Sequence, residues 1–407
     1  MKLLSLTVQG VPLFCDESFS LDFFATDRVS RDDSGSPIQD VTKVDIGGSL
    51  FSQNIVGITG VNASGKTTML NILRMVLGFL TGRFTMREFT DYGNSIGKLG
   101  ERLTFSAVFY QDGDLYLIES TLHHFFEPCG ESAGGGKTMA DAFEFEEETL
   151  WRYTAPRVKR SLLSDIDKFK HNAAVFLRRN GDPEDQTVLA DANRTFLTPQ
   201  ASIVSVVTGR RPGAIRSLRR TLPTITMPTP VIRAFDPSVE LLAWDAESQV
   251  YHVKFVGEEE RLVSAEVATR ILSRGTICGA ELVDNAIRVL QDGGCLLVDE
   301  IEEALNRALV GVVLGLFSSP VTNPHGAQLI FSTHNPELLD LLSRKDSVYV
   351  LTRDADYKTH AIKLSDRLNR VERKKSEVIL SNYIKGSMPR YPDVREMREY
   401  VRSCVNE

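Results

Sequence analysis

Between Leu4 and Phe23 the apolar positions recur at every second residue, first Leu4, Leu6 and Val8, then Phe19, Leu21 and Phe23. That period predicts two half-buried strands joined by a turn near Gly10-Val11-Pro12, a hairpin. A Ser-, Asp-, Gly- and Pro-rich stretch from Asp27 to Asp40 reads as a loop. The apolar run Asn54–Gly60 ends in glycine, and from Thr67 onward Met69, Leu70, Ile72, Leu73, Val76 and Leu77 follow helical spacing. The expected order there is strand, Gly-rich turn, helix. Two further strands, Leu103–Tyr110 and Leu115–Glu119, flank the turn Gln111-Asp112-Gly113-Asp114.

The pattern then changes. From about His123 to Arg220 the chain holds a glycine run (Gly134–Gly136), an acidic run (Glu144–Glu148) and mixed helical patches around Leu162–Lys170 and Ala173–Arg179, and it reads as an insertion. Beyond it, Val231–Phe235 and Val250–Val256 look like strands and Glu281–Leu290 like a helix. Cys295–Val298, Leu329–Ser332 and Ser347–Leu351 are short apolar runs separated by helical segments, the alternation of a parallel, helix-covered sheet. The expected organisation is an N-terminal part over residues 1–122, a largely helical inserted lobe over 123–225, and a C-terminal part over 226–407.

Composition adds limits. The 407 residues allow two or three structural units, and a formal charge of −7 excludes a protein that coats nucleic acid over its whole surface. The five cysteines show no metal-binding spacing and are expected to be reduced thiols. The first residues lack a signal-peptide pattern, and the longest apolar stretches, Met75–Leu80 and Leu309–Phe317, are too short to span a bilayer, so a cytoplasmic location without membrane partners is expected.

The chemistry concentrates at strand ends. Gly60-Val61-Asn62-Ala63-Ser64-Gly65-Lys66-Thr67 satisfies the P-loop pattern in full, between an apolar strand and a helix. Gly60, Asn62, Ala63, Ser64, Gly65, Lys66, Thr67 and Thr68 are therefore candidate ATP-binding residues, with Lys66 reaching the β- and γ-phosphates and Thr67 on Mg²⁺. A second Gly-Lys-Thr, at Gly136–Thr138, has Glu131 where the first glycine belongs and no strand before it, and reads as a loop. Cys295–Val298 runs into Asp299-Glu300, a Walker B pattern. Asp299 would orient the Mg²⁺ shell and Glu300 would polarise the attacking water. His334, just past another apolar strand, is a candidate γ-phosphate sensor. Gln111 is a candidate for contacting Mg²⁺ and water, with a plain turn residue as the equal alternative. The arginines from Arg210 and Arg211 through Arg216, Arg219 and Arg220 form the best local basic patch, equally readable as a solvated face.

With these motifs the chain resembles the ABC-type ATPases of the SMC-like and RecF-like branch, and more closely the RloA-like ATPases of bacterial anti-phage systems. Leu272-Ser273-Arg274-Gly275-Thr276 is similar to a variant ABC signature, with Arg274 in place of a small residue. Thr333-His334-Asn335 resembles the switch-histidine motif and Tyr383–Gly386 the family's tail, while Leu305-Asn306 stands where a His-Pro is common. The resemblance covers roughly residues 1–120 and 230–390. It implies an α/β P-loop fold of ABC type with an antiparallel β-subdomain, and a head-to-tail homodimer with ATP between the copies. Each site would combine Lys66 and Glu300 of one chain with Ser273 and Gly275 of the other. It also implies a separate effector, a nuclease or toxin; direct DNA binding, as in DNA-repair ATPases, is the alternative. A built-in nuclease is not expected, because the segment after His334 has no obvious cluster of metal-binding carboxylates.

Overall fold

A computed structural model describes all residues except 31–39, 47–48, 83–98, 132–136, 155–157, 180–200, 209–214, 219, 304, 369–372, 390 and 406–407. Most of the Asp27–Asp40 loop, the Gly134–Gly136 run and Arg210, Arg211 and Arg219 lie outside the described residues.

Two six-stranded sheets enclose one helix. The first is antiparallel and contains β1 (Lys2–Gln9), β2 (Ser18–Asp22), β6 (Arg102–Gln111), β7 (Asp114–Glu131), β8 (Lys137–Tyr153) and β9 (Ala174–Arg178), in the order β2-β1-β6-β7-β8-β9. β3 (Val41–Lys43) and β4 (Phe51–Gln53) form a separate pair. The second sheet has the order β10-β14-β15-β5-β16-β17, built from β5 (Ile55–Gly60), β10 (Ile215–Ser217), β14 (Cys295–Val298), β15 (Gln328–Thr333), β16 (Val348–Arg353) and β17 (Thr359–Lys363). Its strands are parallel apart from the β16–β17 hairpin. The apolar runs of β5, β14, β15 and β16 have no alternation because both faces of this sheet are covered.

Helix α1 (Lys66–Leu80) fills the space between the sheets. Met69, Ile72, Leu73, Met75, Val76, Phe79 and Leu80 are buried and share one core with Leu6, Val8, Phe105 and Phe109 of the antiparallel sheet and with Val56, Leu297 and Ile330 of the parallel one. On the far face of the parallel sheet, α5 (Arg274–Asp292) and α6 (Arg307–Ser318) cover Leu296, Val298, Leu329 and Phe331. α2 (Ile166–Asn172) packs Phe169 over the outer face of the antiparallel sheet.

A smaller module has its own core. β11 (Val239–Asp245), β12 (Val250–Phe255) and β13 (Arg261–Val263) form a three-stranded sheet, which packs with α3 (Thr229–Phe235), α4 (Ala265–Ile271) and the first turns of α5. Gly279 admits Phe235 against α5, since a Cβ there would lie 2.2 Å from the ring.

Three expectations are corrected. The lobe over 123–225 is not largely helical: its proposed start falls inside β7, and the acidic Glu144–Glu148 run lies in β8. Ala173–Arg179 is strand β9 rather than helix, because Leu177 pairs opposite Leu150 at the edge of the growing sheet. Val231–Phe235 is helix α3 rather than strand. Pro230 in its first turn suits a helix start, and Ile232 faces the small core. The second Gly-Lys-Thr has no phosphate-loop context either, since Lys137 and Thr138 open a strand.

The segment after β2, strand β4 and the residues leading into β16 meet at a buried ion pair. Asp346 is fully buried, accepts from the backbone N–H of Thr26 and Asp27 at 2.8 Å, and receives Arg344 Nη2 at 2.6 Å and Nε at 2.8 Å. Burial alone would raise its pKa, but Arg344 and the backbone donors outweigh this and hold the carboxyl below its ordinary value of 3.8. A depressed carboxylate pKa contributes stability that is present above the ordinary value and is lost as pH falls through the folded one. Asp346→Asn, which strands a buried guanidinium, is expected to cost about 3 kcal/mol at pH 7. Urea denaturation should show that difference shrinking below about pH 4.

Candidate functional site

The P-loop leaves β5 at Gly60, whose φ of 156° and packing leave no room for a side chain: a Cβ would sit 2.4 Å from Leu351 O. Ala63 (φ 58°) and Gly65 (φ 90°) complete the turn into α1. Gly65 is the N-cap, so no side chain caps the helix and its first N–H groups face the cleft. Ser64 Oγ is buried without a partner. Lys66 Nζ donates to Gly60 O (2.8 Å) and Val61 O (3.0 Å), folding back over the loop. Burial lowers the pKa of its ammonium, while the carboxylates of Asp299, Glu300 and Glu302 pull the other way.

The cleft is about 390 Å³ and is lined by Leu13, Asn62 through Thr68, Glu300 and His334. Parallel pairing aligns β14, β15 and β5, so all three motifs emerge at one edge. Thr67 Oγ1 donates to Asp299 Oδ2 at 2.7 Å, and Ser332 Oγ donates to Asp299 Oδ1. The backbone N–H of Glu300 donates to Ser332 Oγ at 2.8 Å. His334 Nε2 lies 2.9 Å from Glu300 Oε1, and its backbone N–H donates to Glu302 Oε1 at 2.5 Å. A hydroxyl and a carboxylate in contact beside a phosphate cradle are the hard oxygen donors that Mg²⁺ takes, so these residues fit both ATP and the ion.

Ser273 and Gly275 do not line this cleft. Ser273 is the exposed N-cap of α5, and its Oγ accepts from Thr276 N at 3.0 Å. Arg274 pairs with Glu303, in the loop after Walker B. Asn306 caps α6 by accepting from Leu309 N.

Gln111 is corrected. β6 runs antiparallel to β1, which places Gln111 beside Lys2. That is the end where Leu3 O accepts from Gln328, the first residue of β15, whereas the P-loop packs on Leu13 past the other end of β1. Gln111 is therefore buried across the molecule from the phosphate cleft and does not touch the Mg²⁺ position.

Two groups at the site escape motif reading. Ser332 binds both Asp299 and Glu300, and the sequence signal for it is its place two residues before His334 at a strand end. Arg220 donates from Nη2 to Asp299 O at 3.0 Å and pairs with Glu303. Of the basic stretch, half-buried Arg216 lines a separate cavity of about 640 Å³ between α1 and α5.

No family model matches the chain, and no curated protein does. Among solved structures, the chain is similar to the SMC head domain from Thermotoga maritima. The match has 11% sequence identity and a TM-score of 0.40, and it covers 89% of this chain and 99% of that one.

Removing the ammonium that spans the loop should weaken nucleotide binding. Lys66→Ala is expected to weaken binding of a fluorescent ATP analogue by about 10²-fold, from the loss of a charge-assisted contact, with little change in thermal unfolding.

Proposed function

We propose that the chain is an ATP-hydrolysing ABC-type ATPase. The observation that carries this reading is the convergence of Thr67, Asp299, Glu300 and His334 on one P-loop cleft. The loop N–H groups and Lys66 would hold the phosphates of ATP. A magnesium ion on Thr67 and Asp299 would neutralise charge on the β- and γ-oxygens. Glu300 would orient a water in line with the γ-phosphorus and draw off its proton as the new P–O bond forms. The bond to the β-phosphate oxygen breaks, leaving ADP and phosphate. His334, whose Nε2 faces Glu300 here, would turn that N–H to the γ-phosphate once ATP is in place.

The working unit is a pair of copies. Ser273 and Arg274 are exposed on α5 and away from their own cleft, which suits a role at the cleft of a second chain. Hydrolysis would then open the pair. The finer reading, supported by the sequence resemblance, is a cytoplasmic role in bacterial anti-phage defence in which pairing controls a separate nuclease or toxin. Among the described residues no helix is long and apolar enough to cross a membrane. Direct DNA binding is less supported, because Arg220 is engaged within the molecule by Asp299 O and Glu303.

Glu300→Gln should retain ATP binding and lose about 10²-fold or more in turnover, measured as phosphate release. Equal, negligible rates in wild type and variant would sink the catalytic reading. Shared sites make a further demand. Glu300→Gln and Ser273→Ala, each inactive alone, should regain about a quarter of wild-type turnover when mixed one to one, because half the dimers are mixed and each carries one intact site.

A further inference from the structure

The peptide unit joining Asp299 to Glu300 is held at both of its polar groups by side chains. Its N–H donates to Ser332 Oγ at 2.8 Å, and its C=O accepts from Arg220 Nη2 at 3.0 Å. Two bonds on opposite edges of one planar group leave it no rotation, and the orientation of that plane sets the direction of the Glu300 side chain. Such restraint is needed, since Glu300 has a φ of 49°, in the left-handed region that a residue with a Cβ rarely adopts.

Arg220 is itself well anchored. Its second guanidinium nitrogen pairs with Glu303, which also holds Arg274 at the start of α5. The next residue, Thr221, donates its N–H to Glu281 Oε2 of α5 at 2.9 Å. Three residues earlier, β10 ends as the parallel neighbour of β14. Arg220 thus sits where the chain returns from the region after β9, and it reaches the catalytic strand without lining the phosphate cleft.

We propose that Arg220 is a positioning residue for hydrolysis: it clamps the Asp299 carbonyl and thereby aims Glu300, so the chemical step depends on the segment leading out of the inserted region. This rests on Glu300 acting on the attacking water. A planar guanidinium can bridge the carbonyl and Glu303 together, whereas a lysine ammonium supplies a point charge with no fixed fork.

The test compares Arg220→Met and Arg220→Lys with wild type in the full-length chain. Arg220→Met should lower kcat by about 10- to 100-fold, as loss of a supporting hydrogen bond around a site does, with KM and the affinity for a fluorescent ATP analogue within about twofold. Arg220→Lys should recover part of kcat. Adding Arg220→Met to Glu300→Gln should cause no further loss, because the clamp acts only through Glu300. An unchanged kcat in Arg220→Met, or a parallel loss of ATP affinity, overturns the proposal. If Arg220→Met does not fold, Arg220→Lys carries the same comparison.

Amide hydrogen exchange separates this from the ATPase reading. In Arg220→Met or Arg220→Lys the peptide spanning 298–303 should exchange faster while the P-loop peptide does not. If wild type does not hydrolyse ATP, the catalytic reading fails on its own. Unaltered exchange over 298–303 shows that the clamp is absent whatever the turnover.

Discussion

The carboxylate of Asp299 ties three parts of the chain together: Thr67 at the start of α1, Ser332 at the end of β15, and its own strand β14. Thr67 is 232 residues from Asp299 and Ser332 is 33 residues from it, and nothing in local geometry brings them together. The parallel pairing of β14 with β15 and of β15 with β5 does so. Hydrophobic burial on both faces sets the register of the strands, and the register sets the polar contact at their ends. The P-loop cleft, the Thr67–Asp299 contact and the Glu300–His334 pair are consequences of that one alignment.

The parts legible in the sequence were those whose signal is local. The P-loop has a fixed spacing between a strand and a helix, and the hairpin of β1 and β2 alternates cleanly. β14, β15 and β16 are short apolar runs bounded by polar residues. Ala173–Arg179 misled because its apolar residues fit either period over so few positions, and only the open edge of β8 selects a strand. Val231–Phe235 misled because β-branched residues favour a strand in isolation, whereas the packing of Ile232 and the prolines around it favour a helix.

The site was legible where a motif specifies backbone and side chain together, and less so where topology decides. Gln111 has the right chemistry for a Mg²⁺ ligand, but strand direction in the antiparallel sheet carries it to the far end. Arg220 was visible only as one of a run of arginines, a pattern that describes a surface patch as well as a buried contact. Its partner is a main-chain carbonyl, which has no sequence signature. The acidic run of β8 read only as part of an insertion, yet Glu148 is buried with Arg179 and Ser202.

Helix α1 has almost no wet face. Enclosed by two sheets and carrying the phosphate loop at its N-terminus, it can neither slide nor roll without disturbing packing on both sides. The loop is thus held in place by the packing of both sheets on the helix behind it. The β11–β13 module has a separate hydrophobic core, and α5 joins the two, with Ile277 and Ala280 in that core and Leu282, Ala286 and Val289 against the parallel sheet. A displacement of the module would therefore be carried along α5 to the sheet that bears Asp299 and Ser332.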